Sequence, residues 1–168
     1  MNNQDHDLAS AIRDSVVWYF QSLARDVGAE AMQEWLDRLE YGNRDISSGI
    51  DKFWLSSSLE IDANRQLELI KALKHQTLPF KPEYQQQVQD MLVQDSPLPG
   101  TLHAKTGSCL GATGVKPDHG WFIGWIDWDK STSRNPVTSY FVINISGEGA
   151  WGWQARPIAL QLLHELQP

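Results

Sequence analysis

Lys105-Thr106-Gly107 stands inside a strand-like run, residues 102–108. Its three residue types divide a chemical task. A lysine supplies fixed positive charge beside a reacting hydroxyl, and a threonine offers its own hydroxyl to an anionic group. A glycine, having no Cβ, lets a ligand come close to the backbone. The tripeptide alone is weak, because ordinary residue usage produces it by chance in about a few per cent of chains this long. Its weight comes from its neighbours. Ser15-Val16-Val17, Tyr41-Gly42-Asn43 and Phe53-Trp54-Leu55 precede it in that order, and Gly120-Trp121-Phe122-Ile123-Gly124-Trp125 and Arg156 follow.

The chain that must position these residues has 168 of them, enough for one domain with a real core. Hydrophobic residues make up 41% and charged residues 21%, the balance of an ordinary globular protein. A net charge of -7 with no Lys/Arg run argues against nucleic acid or an anionic membrane surface as partner. Cys109 is the one cysteine, so no internal disulfide forms. No apolar run is long enough to span a bilayer. Met1-Asn2-Asn3-Gln4-Asp5-His6-Asp7 has neither the basic nor the apolar part of a secretory signal, so the chain as written is expected to stay in the cytoplasm.

Residues 8–27 read as a helix, with Ile12, Val16, Tyr19, Phe20, Leu23 and Val27 at spacings of three and four. Its start is expected near Asp14 or Ser15, both good N-caps, and its end at Gly28. A second helix is expected over 29–39, then a turn at Tyr41-Gly42-Asn43 and a Ser-, Asp- and Gly-rich loop to 58. Asp62 reads as the N-cap of a helix over 63–74, and Pro82 opens another over 83–93. Strands follow at 101–105, 120–127 and 137–145, the last two forming a hairpin across a polar loop at 129–136. A final helix over 155–166 carries Ile158, Leu162 and Leu166. Helices first, then a three-strand meander and a closing helix, give an α/β protein of α+β type, with helices flanking an antiparallel sheet.

The ordered set S-x-V, Y-G-N, F-W-L, K-T-G, G-W-x-x-G-W and a late arginine resembles the class D (oxacillinase-type) serine β-lactamases. It is also similar to the penicillin-sensor domains that share their transpeptidase-like fold. The similarity runs over nearly the whole chain and includes Leu78-Pro79-Phe80-Lys81. It implies hydrolysis of β-lactam antibiotics through a serine acyl-enzyme, with β-lactams as the small-molecule partners, and it admits a homodimer. It implies that Ser15 relays a proton to the lactam nitrogen, while Lys105 holds that hydroxyl and stabilises negative charge. Thr106 and Arg156 are implied to bind the substrate carboxylate, with Gly107 between them and the Ser108 N–H as half of an oxyanion hole. Val17 and Leu55 are implied to form an apolar lid over the catalytic base, Trp54 to hydrogen-bond to it, and Tyr41, Gly42 and Asn43 to shape the floor. By this resemblance the location is periplasmic.

One departure is large. The resemblance requires S-x-x-K, a serine nucleophile and, one helical turn later, a lysine carboxylated by carbon dioxide. No serine in this chain has a lysine three places on. The family uses no metal or other cofactor, and its carboxylated lysine is not in this chain. Residues 1–168 are therefore expected to form a single, incomplete domain lacking its N-terminal part and inactive alone. A penicillin-binding domain that acylates without turnover is the alternative.

The remaining features carry less. Cys109 has no Cys-His-Asp pattern around it and is expected to be inert, and the five histidines show no paired metal-ligand spacing. Trp121, Trp125, Trp128, Trp151 and Trp153 open a rival reading, an aromatic platform for sugars in a carbohydrate-binding module. Core packing explains the same residues.

Overall fold

The computed structural model describes residues 5–110, 116–129 and 137–168, in two compact units, Met1–Arg65 and Gln66–Pro168. In the first, the expected single helix over 8–27 is two: α1 (Leu8–Asp14) and α2 (Val17–Val27). The cause lies at both ends of α1. The Asp7 carboxylate accepts the Ser10 N–H at 2.8 Å while the Ser10 hydroxyl accepts the Asp7 N–H at 3.0 Å, a reciprocal cap that starts a helix earlier than Asp14. Ser15 then takes a left-handed conformation, φ 53°, and closes α1 instead of capping α2. Val16 occupies the N-cap position of α2 with no side-chain bond. Gly28 ends α2 and opens α3 (Ala29–Arg38), as its positive φ of 81° suits.

α4 (Ala63–Lys74) starts where Asp62 accepts the N–H groups of Asn64 at 2.8 Å and Arg65 at 3.0 Å, the cap read from the sequence. α5 (Pro82–Met91) stops short of the expected 93, because Val93 belongs to a two-residue strand, β1 (Val93–Gln94). Three longer strands follow: β2 (Gly100–Leu110), β3 (Pro117–Trp128) and β4 (Thr138–Ser146). They make one antiparallel sheet in the order β1-β2-β3-β4, four strands where three were expected. Beyond Asp129, the connection expected at 129–136 lies outside the described residues.

α6 (Gly152–Glu165) lies across one face of this sheet. Its buried side is small, with Gly152, Ala155 and Ala159 ahead of Leu163, so the helix settles close onto Leu102, Ala104, Phe122, Ile126 and Phe141. Each large side chain buried there contributes roughly 1.5–3 kcal/mol.

The opposite face carries polar ties. Asp127 takes the Lys74 ammonium at 2.7 Å, the Thr138 hydroxyl at 2.6 Å and the Trp125 indole N–H at 3.2 Å. His103 stacks on Trp125, with ring centroids 4.6 Å apart, and its Nδ1 lies 2.9 Å from the Gln89 carbonyl. The α4–α5 connection is held by two buried glutamines. The Gln85 amide donates to the carbonyls of Leu78 and Phe80 and accepts from the Leu78 N–H, and Gln89 donates to the Leu73 carbonyl at the end of α4.

Burial alone raises the pKa of Asp127, but its bonds to Lys74, Thr138 and Trp125 outweigh that and hold it below the ordinary 3.8. A depressed carboxylate contributes stability that is complete above the unfolded value and is lost as pH falls through the folded one. Asp127→Asn is therefore expected to melt lower than the parent at neutral pH. The gap should close as pH drops below about 4. A gap that stays constant across a pH series of thermal melts contradicts this role for the carboxylate.

Candidate functional site

Alternation along β2 decides which of its groups a ligand can meet. The Ala104 N–H donates to the Leu92 carbonyl at 2.9 Å and its carbonyl accepts the Gln94 side chain at 2.8 Å, so even-numbered residues point their backbone towards the β1 side. Odd-numbered residues point theirs to β3, which pairs with β2 along its length. β1 is only two residues long and pairs at Leu102 and His103. Among the described residues no strand lies on the outer edge of β2 beyond that pairing. The N–H and C=O of Thr106 and Ser108 thus face an edge that a strand-like ligand can extend.

Two cations lie on opposite faces of the sheet, Lys105 beside this edge and Arg156 at the end of β1. Lys105 projects on the face away from α6, half-buried, and its Nζ donates to the Thr106 carbonyl at 2.9 Å. Burial pushes its pKa below the usual 10.5, because a desolvated ammonium loses its hydration. Arg156 comes from the α6 face, the face that Thr106 also presents by alternation. One guanidinium nitrogen donates to the Asp95 carbonyl, just past β1, at 2.5 Å. Its Nε is buried and has no hydrogen-bond partner among the described residues. A buried donor left unsatisfied in this way marks a place for an acceptor.

α6 is fixed to this edge at its first residue. The Gly152 N–H donates to the Ser108 hydroxyl at 2.9 Å. A Cβ on Gly152 would collide with the Gly107 carbonyl oxygen, so only glycine brings the helix so near. By contrast a Cβ on Gly107 would make ordinary contact with the Trp121 Cβ at 3.6 Å. Among the described residues no neighbour demands glycine at 107, which agrees with space kept for a ligand.

The first unit holds the other expected residues. Ser15 is exposed in the joint between α1 and α2, and Val17, 46% exposed, is the first residue of α2. Asn43 closes the loop that follows: its side chain donates to the Ser58 carbonyl at 2.8 Å and accepts the N–H groups of Glu60 at 3.0 Å and Asp45 at 3.2 Å. Gly42, at φ 54°, packs its Cα where a side chain would strike the Glu60 carbonyl. Tyr41-Gly42-Asn43 is therefore the clasp of the loop that presents Phe53, Trp54 and Leu55. Phe53 is buried and meets the half-buried Trp54 edge to face, with centroids 4.9 Å apart, whereas Leu55 is exposed. Lys105, Thr106, Gly107 and Ser108 follow one another on β2 and Arg156 stands on α6, all in the second unit.

The aromatic platform is corrected. Trp125 is fully buried and Trp128 nearly so, leaving no row of exposed rings on β3. Cys109 does stand opposite His119 on β3, and His119 Nδ1 lies 2.9 Å from the Asp118 carboxylate. No hydrogen bond joins thiol to imidazole. Among the described residues no group of three or more metal-ligating side chains exists, and no helix is long and apolar enough to cross a membrane. Gly152 and the Ser108 hydroxyl escaped the sequence reading. The Trp151-Gly152-Trp153 run just ahead of Arg156 was the available signal, since a glycine between tryptophans at a helix start marks close backbone approach.

A family model described as the penicillin binding protein transpeptidase domain matches residues 1–163. The chain is 41% identical over 162 residues to the probable beta-lactamase YbxI of Bacillus subtilis, covering 96% of this chain and 55% of that protein. It is 35% identical to the beta-lactamase OXA-20 of Pseudomonas aeruginosa, covering 86% and 49%. A solved structure, the class D beta-lactamase from Bacillus subtilis, superposes with a TM-score of 0.85 at 39% identity, covering 97% of this chain and 63% of the other. The chain spans about half the length of the curated relatives it matches.

Gly152→Ala tests the seat of α6. Its methyl group has to push the helix off the Gly107 carbonyl, at a cost of roughly 1–3 kcal/mol, and the melting temperature should fall accordingly. An unchanged melting temperature contradicts the close approach.

Proposed function

We propose a β-lactam-binding role for this chain, which belongs to the penicillin binding protein transpeptidase family and has class D β-lactamases as its relatives. The observation that carries it is the outer edge of β2, where the Thr106 and Ser108 backbone faces outward and Lys105 sits on the Thr106 carbonyl. A β-lactam is an acylated, strand-like molecule with one carboxylate. The edge takes its amide groups, the Ser108 N–H takes the lactam carbonyl oxygen, and Arg156 with the Thr106 hydroxyl takes the carboxylate. Gly107 leaves the ligand room.

In the reaction of the whole protein, a serine oxygen bonds to the lactam carbon, the carbon–nitrogen bond breaks, and the nitrogen gains a proton. Ser15 is proposed to pass on that proton and Lys105 to support it. Burial lowers the pKa of Lys105, which makes its ammonium a readier proton donor than a lysine in water. The base, a carboxylated lysine, would accept the serine proton. Val17 and Leu55, exposed and apolar, fit a cover over it, and the Trp54 indole fits as its hydrogen-bond donor. Tyr41, Gly42 and Asn43 hold that loop as the floor. The two compact units are read as parts of one domain, and the whole protein is placed in the periplasm.

No S-x-x-K is written in these 168 residues, so binding and acylation separate. On incubation with benzylpenicillin the intact mass of the chain is expected to stay unchanged, while calorimetric titration detects reversible binding. Arg156→Ala should weaken that binding roughly ten- to a hundredfold. A covalent adduct overturns the assignment of this chain to binding alone, and binding indifferent to Arg156→Ala overturns the anion site.

A further inference from the structure

We infer that Trp153 is a ligand-contacting residue that makes this edge favour carboxylates bearing a flat apolar substituent. The inference rests on the β-lactam-binding reading and names a preference that reading leaves open. Trp153 is 64% exposed, an unusual place for the largest side chain, and makes no ring contact with any described residue. An indole left in water offers a broad apolar face at low conformational cost.

Its position selects what it meets. Gly152, its neighbour, is pinned to Ser108 and pressed on the Gly107 carbonyl, so the first turn of α6 is held on β2 where it runs beside β3. Trp153 and Arg156 are three residues apart, about 60° around the helix, and share one flank. That flank is the β1 and β2 side, because Arg156 reaches the Asp95 carbonyl there. The exposed Ile158 and Leu162 fall on the other flank by the same count. The turn that carries the indole is capped, since the Gln154 side chain accepts the Trp151 N–H at 2.8 Å. A ligand whose carboxylate lies at Arg156 therefore has a rigid aromatic surface about one helical turn away, towards Ser108. The Trp153 ring face suits an aryl group, and β3 adds no exposed ring to extend it into a sugar platform.

The test uses the full chain and two ligands sharing one nucleus, benzylpenicillin and 6-aminopenicillanic acid, titrated calorimetrically. The parent chain is expected to prefer the benzyl compound by about three- to tenfold, the range of an aromatic pair. Trp153→Ala should abolish the preference and leave affinity for the bare nucleus unchanged, and Trp153→Phe should keep most of it. Arg156→Ala should weaken both ligands equally. A preference that survives Trp153→Ala overturns the inference, and so does an equal loss for both ligands, which marks a structural role. If the parent chain binds neither compound, the β-lactam reading fails and this preference fails with it. Trp153→Phe keeps the comparison valid should the alanine variant fold poorly.

Discussion

The contact between the first residue of α6 and the strand carrying Lys105-Thr106-Gly107 governs the second unit. A glycine backbone lies against a glycine carbonyl, and the Gly152 N–H donates to the Ser108 hydroxyl there. The consequence is positional. Once Gly152 is seated, the helical screw fixes where Arg156 emerges, and Ala155 and Ala159 set the depth of the helix on the sheet. The cation on α6 and the cation on β2 then lie on opposite faces of the sheet.

That stretch is useful because the sheet stops there. β1 ends after two residues, so the groups of Thr106 and Ser108 have no strand neighbour among those described. An unpaired edge is ordinarily a hazard, and here charge on both sides restricts what it accepts. The other face of the sheet shows the opposite economy. Asp127 satisfies itself on Lys74, Thr138 and Trp125, and His103 lies flat on Trp125, so the charges there are spent on holding α4 to the sheet. The same sheet thus has one polar region closed by its own partners and another left open.

Much of this was legible in the residues. Asp62 before an apolar stripe, Pro82 at a helix start and the β3–β4 hairpin read correctly because each depends on local propensity. The family was legible because its motifs stand in order, although none is specific alone. What failed was non-local or too short. β1 is two residues, below any periodicity. The left-handed Ser15 is a conformation that serine rarely takes, so the break between α1 and α2 left no mark except the Asp7–Ser10 cap. Gln85 and Gln89 look like surface residues of an amphipathic helix, and only the fold shows their amides buried on the α4–α5 connection. Trp125 and Trp128 gave no hint whether they were core or platform, since alternation names a face without saying what covers it.

The outer edge of β2 is proposed to meet its ligand through alternate residues, and backbone amide NMR during titration with benzylpenicillin reads this residue by residue. The N–H signals of Thr106 and Ser108 are expected to move most, while those of Lys105 and Gly107, turned towards β3, move little. Equal movement along the strand, or movement confined to residues away from β2, contradicts it.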